Sequence, residues 1–231
     1  MVSENELSII MSVYNNADKV SKAIESILNQ TFKDFRFLIL DDGSTDGSFE
    51  ILNKYKSFDN RVEIYQNKHN IGLTMSLNKL ISYCNSKYIA RQDADDISLE
   101  NRLEVQLKTI KNSDFSLVTS RAICENRIIP RFSYYLPNKI TAKYKNPFIH
   151  GTFFTSKSVL ETVGNYDEKF YYAQDYKLVS DLIKKRYKIK IMKEPLYILN
   201  MVNNISQNKK IEQKYYADCV KSGKTPDLKV K

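Results

Sequence analysis

Short apolar runs alternate, through the first half of this chain, with segments whose apolar residues recur at helical spacing, and that alternation restricts the fold more than any other feature. Leu7 to Val13 is almost continuously apolar, as expected of a strand buried on both faces of a parallel sheet. A polar loop follows, then Val20, Ala23, Ile24, Ile27 and Leu28 at the 3.6-residue period of a helix, with Asn16 or Asp18 as its N-cap. The unit repeats. Phe35 to Leu40, Val62 to Gln66, Tyr88 to Arg91 and Phe115 to Ser120 read as further strands; Phe49, Leu52 and Tyr55, then Leu73 to Cys84, then Leu103, Leu107 and Ile110 read as the intervening helices. Such alternation implies an α/β fold with a mostly parallel central sheet flanked by helices and right-handed crossovers. Ligands of such sheets bind at the carboxyl ends of the strands. Tyr14, Asp42 and Asp93 to Asp96 each lie just past a strand, so they are expected along one edge.

Beyond Ser120 the alternation stops, and a mixed C-terminal part is expected. Ala122 to Leu136 reads as extended chain turning near Pro130, and Asn138 to Asn146 as a basic polar segment. Gly151 to Thr155 fits a strand, and Ser156 fits the cap of a short helix from Lys157 to Val163 that Gly164 ends. Asp175 falls in the first turn of a helix carrying Tyr176, Val179, Leu182 and Ile183, where the dipole favours a carboxylate. Lys188 to Met192 and Leu196 to Met201 read as two strands. With 231 residues, 42% of them hydrophobic, the chain can bury the core of one domain, taken as residues 1–206, with 207–231 as a basic tail.

The densest chemistry lies in Arg91-Gln92-Asp93-Ala94-Asp95-Asp96-Ile97-Ser98, where three carboxylates crowd into four residues. Carboxylates that close repel one another and are most stable around a hard divalent cation such as Mg or Mn. The alternative is a polar turn in which Ser98 caps the next helix. A formal charge of +9, concentrated between Lys184 and Lys193 and after Gln207, is suited to a phosphate-rich partner: nucleic acid, an anionic membrane face or a lipid diphosphate. Cys84, Cys124 and Cys219 lie too far apart for a Cys-x-x-Cys site. No apolar run reaches the length of a membrane span and Met1 to Glu6 is acidic, so the expectation is a cytoplasmic protein, peripheral at the inner face of the membrane. Tyr14-Asn15-Asn16-Ala17 has no glycine, which argues against a nucleotidyltransferase or a dinucleotide-dependent dehydrogenase.

Four segments together resemble the family 2 inverting glycosyltransferases of GT-A fold: Ser12-Val13-Tyr14-Asn15, Leu40-Asp41-Asp42-Gly43-Ser44-Thr45-Asp46, Ala90 to Ser98, and Tyr172-Ala173-Gln174-Asp175-Tyr176. The resemblance implies a metal-dependent enzyme of the bacterial surface-polysaccharide type. It would move a sugar from a nucleoside-diphosphate donor, UDP-linked by preference, to a glycan or lipid-linked glycan by single displacement. It also implies a donor half at 7–120 and an acceptor half at 121–206. By the same resemblance Ser12, Tyr14 and Asp42 hold the nucleoside base, Asp93 faces the ribose, Asp95 holds the Mn or Mg ion, and Asp175 is the general base. His150 and Gln174 fall on the acceptor side, and a nucleic-acid partner is not expected. Tyr14 as loop packing, Asp42 as a turn residue, Asp175 as a plain cap and His150 as a packed loop histidine are the alternatives. Gln174 replaces a frequent Glu of the family and Met201 a frequent His, and Lys79 is the nearest cation to the segment after Gly72. A non-catalytic GT-A protein that binds nucleotide or acts as a scaffold is the rival reading.

Overall fold

The computed structural model describes residues 5–200 and 209–227. Strand β1 (Leu7–Val13) is flanked by two parallel neighbours, β2 (Phe35–Asp41) and β4 (Tyr88–Arg91), and β3 (Val62–Gln66) extends the sheet beyond β2. Because side chains alternate across a strand, β1 feeds two cores. Leu7, Ile9, Met11 and Val13 face α1 (Val20–Leu28), α2 (Ser48–Phe58) and α4 (Arg102–Lys111). Ile10 faces α3 (Leu73–Tyr83), α6 (Lys157–Val163) and α7 (Gln174–Lys184). Burial on both sides is why β1 and β2 carry so few polar residues.

Past β4 the sheet continues in the order β8 (Phe154–Ser156), β6 (Leu117–Cys124), β9 (Ile189–Ile198) and β5 (Ile97–Ser98), with β7 (Arg127–Ile129) paired to β6. Strand β8 runs antiparallel between β4 and β6, whereas β9 is parallel to β6 and β5 is antiparallel to β9. The sheet is therefore parallel on the side of β1 and mixed on the other. No helix among the described residues is long and apolar enough to cross a membrane.

Several local expectations change. The two strands expected from Lys188 onward are one, β9, which passes through Lys193-Glu194-Pro195 by shifting register against β6 near Arg121. Asn138 to Tyr144 forms a short helix, α5. The predicted strand at Gly151 begins only at Phe154, because His150–Thr152 is a 3-10 turn. Neither Asn16 nor Asp18 caps α1 through its side chain; the Asn16 carbonyl accepts from the Lys19 and Val20 amides instead. Ser98 caps no helix, since it lies in β5 and its hydroxyl bonds Gln92. Within the basic tail, Lys210–Ser222 forms a helix, α8, which buries Tyr216, Cys219 and Val220 against Phe170, Tyr172 and Tyr176. The Ser156 cap, bonded to the Val159 amide, and the left-handed Gly164 that ends α6 are as predicted. Met201 and the Asn203 to Ser206 segment lie outside the described residues.

Candidate functional site

The loops after β1 and β2 are laced together. The Asn15 amide donates to Ser44 Oγ at 3.0 Å, the Thr45 amide to Asn15 Oδ1 at 2.9 Å, the Asn16 amide to Ser48 Oγ at 2.9 Å and the Ala17 amide to Asp46 Oδ2 at 2.9 Å. This lacing holds the loop that carries Tyr14 at the carboxyl edge of the sheet, with half of the Tyr14 surface exposed. Ser12 precedes it at the end of β1, opposite Leu40 of β2.

Asp42 is buried. Its carboxylate accepts from Asn67 Nδ2 at 2.8 Å, the Ile71 amide at 3.0 Å and the Gly72 amide at 2.9 Å. It thus organises the loop into α3, and any ligand donor would join an already occupied acceptor. Lys79 Nζ donates to Asn67 Oδ1 at 2.7 Å and so braces the partner of Asp42. Tyr171 packs its ring over Gly72, whose φ of +94° and lack of a Cβ permit that approach, and it feels the charge of Asp42. In the aromatic run Phe170-Tyr171-Tyr172, Phe170 and Tyr172 are core, whereas Tyr171 is exposed beside Asp42.

The carboxylate loop after β4 is held from behind. Arg91, itself buried, bonds Asp93 Oδ1 through Nη2 at 2.5 Å. Gln92 Nε2 donates to the carbonyls of Asp93 (2.9 Å) and Asp96 (3.0 Å), and its Oε1 accepts from Ser98 Oγ at 2.6 Å. The Asp93 amide donates to Tyr197 Oη at 3.0 Å. Fully buried Arg102 reaches the carbonyls of Arg91 (3.1 Å) and Gly151 (3.3 Å) and lies over the Tyr197 ring at 5.6 Å. Gly151 lets these groups meet: a Cβ there would come within 2.2 Å of Tyr197 Oη and 2.6 Å of Asp93 Oδ2. Sequence reasoning missed Gln92, Arg102, Gly151 and Tyr197, because their roles exist only through contacts distant in sequence.

Charge has accumulated here. Burial and then the neighbouring Asp93 raise the Asp95 carboxyl above its ordinary value. Burial, Asp93 and Asp95 push Asp96 up to about 8, although the Asn200 amide donates to its Oδ1 at 2.8 Å. Among the described residues no three Asp, Glu, His or Cys side chains surround a common point that could hold a metal. The carboxylate oxygens of Asp95, whose charge burial and Asp93 disfavour, nevertheless fit a hard divalent cation.

Asp175 lies in the first turn of α7, which Ala173 enters in the left-handed conformation at φ 52°. Burial pushes its carboxyl up to about 6; the Tyr176 amide lowers it, the charge of Asp93 raises it and Asn146 Nδ2, 2.6 Å from Oδ2, lowers it again. Gln174 is buried beside Asp175. His150 bonds Tyr166 Oη through Nε2 at 2.8 Å and packs edge-on to Phe153 and Tyr166. Burial and then the Arg91 charge hold it well below its usual range, so it is a neutral, packed residue.

The "Glycosyl transferase family 2" profile matches residues 8–164. EpsE of Bacillus subtilis, named as a glycosyltransferase, is 36% identical over 172 residues, 72% of this chain and 62% of EpsE. The O-antigen biosynthesis glycosyltransferase WbnJ of Escherichia coli is 39% identical over 163 residues, 67% of this chain and 63% of WbnJ. The chain thus spans about three-fifths of the length of these two relatives. Among solved structures, the mannosyltransferase PcManGT from Pyrobaculum calidifontis, in complex with GDP-Man and Mn2+, superposes with a TM-score of 0.77 at 16% identity over 96% of this chain and 66% of its own. TarS of S. aureus with UDP-GlcNAc gives 0.73 at 18% identity, over 86% and 59%. From the family match, and from a sheet shared with those structures, this chain belongs to glycosyl transferase family 2 and has the GT-A fold.

Proposed function

We propose that this chain is an inverting glycosyltransferase that moves a sugar from a nucleoside-diphosphate donor, UDP-linked by preference, to a hydroxyl of a glycan or lipid-linked glycan in surface-polysaccharide synthesis. The observation that carries the reading is Asp175 in the first turn of α7, a carboxyl that burial raises to about 6, that accepts from Asn146 and that feels the charge of Asp93. An acceptor hydroxyl is a poor nucleophile until it loses its proton. A carboxylate that titrates near 6 holds a proton more strongly than an ordinary one and is still ionised at neutral pH, which is what a general base needs. In this reading Asp175 takes the proton, the acceptor oxygen bonds to the anomeric carbon, and the bond to the diphosphate oxygen breaks on the opposite face. No enzymic nucleophile intervenes, so the anomeric configuration inverts.

Tyr14 offers a face for the base, with Asp42 and Ser12 beside it, and Arg91 turns Asp93 toward the ribose. A Mn or Mg ion on Asp95 would supply positive charge to the departing diphosphate. UDP-GlcNAc bound to TarS, GDP-Man and Mn2+ in PcManGT, and the O-antigen role in the name of WbnJ support the donor class, cation and acceptor class by likeness. The test is a thermal-shift titration with UDP and with GDP, each with and without Mn, on the wild type and on Asp95→Ala. Metal-dependent stabilisation by one nucleotide, lost in Asp95→Ala, is expected; no shift under any condition refutes the donor site. Asp175→Asn should then keep donor binding and lose transfer.

A further inference from the structure

No Asp or Glu occurs between Glu125 and Glu161, although the chain holds 27 acidic residues among 231. The same interval presents the largest concentration of exposed apolar side chains. Phe132 is 70% exposed, Tyr135 71%, Leu136 53%, Ile140 52% and Tyr144 74%. Ile140 and Tyr144 are four apart on the outer face of α5, whose inner face buries Thr141 and packs Ala142. Exposed cations alternate with them: Arg131, Lys139, Lys143 and Lys145. Grouped apolar surface of this kind marks an interaction site rather than ordinary exposure.

The basic segment at the end of α7 joins this surface. A cleft of about 290 Å3 between α5 and that segment is lined by Asn138, Lys139, Ile183, Arg186, Tyr187 and Lys188. Lys188 pairs with Asp114, while Lys139 and Arg186 form no ion pair with another described residue. The charge complement of the surface is thus an anion, and its apolar part calls for hydrocarbon beside that anion. Tyrosine and phenylalanine rings settle at the boundary between headgroups and acyl chains, and lysines next to them meet lipid phosphates.

We propose that residues 131–145, with the cationic cleft leading to Lys188, form a docking surface for bilayers containing anionic phospholipid. The aromatic side chains sit at headgroup depth and the cations lie on the phosphates. Helix α5 is tied to the catalytic side: Tyr176 Oη donates to the Ala142 carbonyl at 2.5 Å, and Asn146, just beyond the helix, bonds Asp175. Docking through α5 therefore brings the Asp175 side of the site toward the bilayer, where the acceptor is lipid-linked. That consequence for the acceptor rests on the glycosyltransferase reading, whereas vesicle binding does not, so the two fail separately.

The experiment is co-sedimentation with vesicles of phosphatidylcholine alone and of phosphatidylcholine mixed with phosphatidylglycerol, at low and high salt. Three proteins are compared with the wild type: Phe132→Ser with Tyr144→Ser, Lys139→Gln with Lys143→Gln and Lys145→Gln, and Phe58→Ser, which alters an exposed ring on the distant helix α2. Circular dichroism confirms that each is folded. Salt-sensitive binding to the phosphatidylglycerol vesicles alone is expected, weakened about five-fold for each lysine removed, weakened also by loss of the two rings, and unchanged in Phe58→Ser. Equal binding to both vesicle types, absent binding, or binding indifferent to the patch variants overturns the proposal. So does sedimentation velocity showing that the patch variants abolish self-association while vesicle binding is absent, since the surface then belongs to a second copy of the chain.

Discussion

Asp175→Asn should stabilise the protein above pH 7 while abolishing transfer. The carboxyl rises from an ordinary 3.8 to about 6 mainly because burial disfavours its charge. The folded state therefore binds the proton more tightly than the unfolded state. The corresponding stability is complete below pH 4 and is lost as pH rises through 6. At pH 8 the ionised carboxylate costs the folded protein at most roughly 3 kcal/mol, at about 1.4 kcal/mol for each pH unit between the two values. Asparagine carries no charge to desolvate, and its side-chain oxygen can still accept from Asn146. Urea unfolding of both proteins from pH 4 to pH 8, without nucleotide or metal, reads the difference directly. It should be small and constant near pH 4 and grow toward that limit by pH 8, because other titrating groups cancel between the two proteins. A difference that stays flat across the range, or a variant less stable at pH 8, refutes the claim that this carboxyl is held desolvated. The same protonation sets the acid limb of the wild-type rate: transfer should fall tenfold per pH unit below about 6.

Gly151→Ala places a methyl group against Tyr197 Oη and Asp93 Oδ2; displacing Asp93 should lower transfer by about 100-fold with an unchanged circular-dichroism spectrum. Asp42→Ala strands Asn67 Nδ2 and the Ile71 and Gly72 amides, and should cost about 3 kcal/mol in urea unfolding. Asp42→Asn, which keeps one acceptor oxygen, should cost distinctly less.

What could be read from the sequence divides by the range of the interactions involved. Strands β1, β2 and β4 are legible because burial on both faces writes itself as an apolar run, and α6 because its cap and terminator are neighbours in the chain. Asp93, Asp95 and Asp175 come forward as candidates because their spacing resembles that of a family. Helix α8 is not, since the rings of Phe170 and Tyr172 that cover Tyr216 belong to a distant segment, and its lysines read as a solvated tail. Strand β9 reads as two because Pro195 interrupts the pattern; a register shift against β6 carries the strand past it. Gln92 and Arg102 have the polarity of surface residues and are buried only because four main-chain carbonyls need donors there.

Arg102 allows geometry to be separated from charge behind the carboxylate loop. It is buried and, although burial pulls its guanidinium down to about 10, it remains charged at neutral pH. The charge of Asp93 favours that cation, so one account of its place is electrostatic. The other rests on its fork: Nη1 serves the Arg91 and Gly151 carbonyls and approaches Gln106 Oε1 at 3.4 Å, while Nη2 approaches Gln92 Oε1 at 3.4 Å. An ammonium presents its donors from a single point and cannot span such a set. If the fork governs, Arg102→Lys should weaken nucleotide binding nearly as much as Arg102→Met, and both should lose roughly 3 kcal/mol of stability through stranded acceptors. If charge governs, lysine should restore affinity. The four acceptors come from β4, the loop that follows it, α4 and the Gly151 turn, segments that must meet to hold the carboxylate loop in place, and so we expect lysine not to rescue.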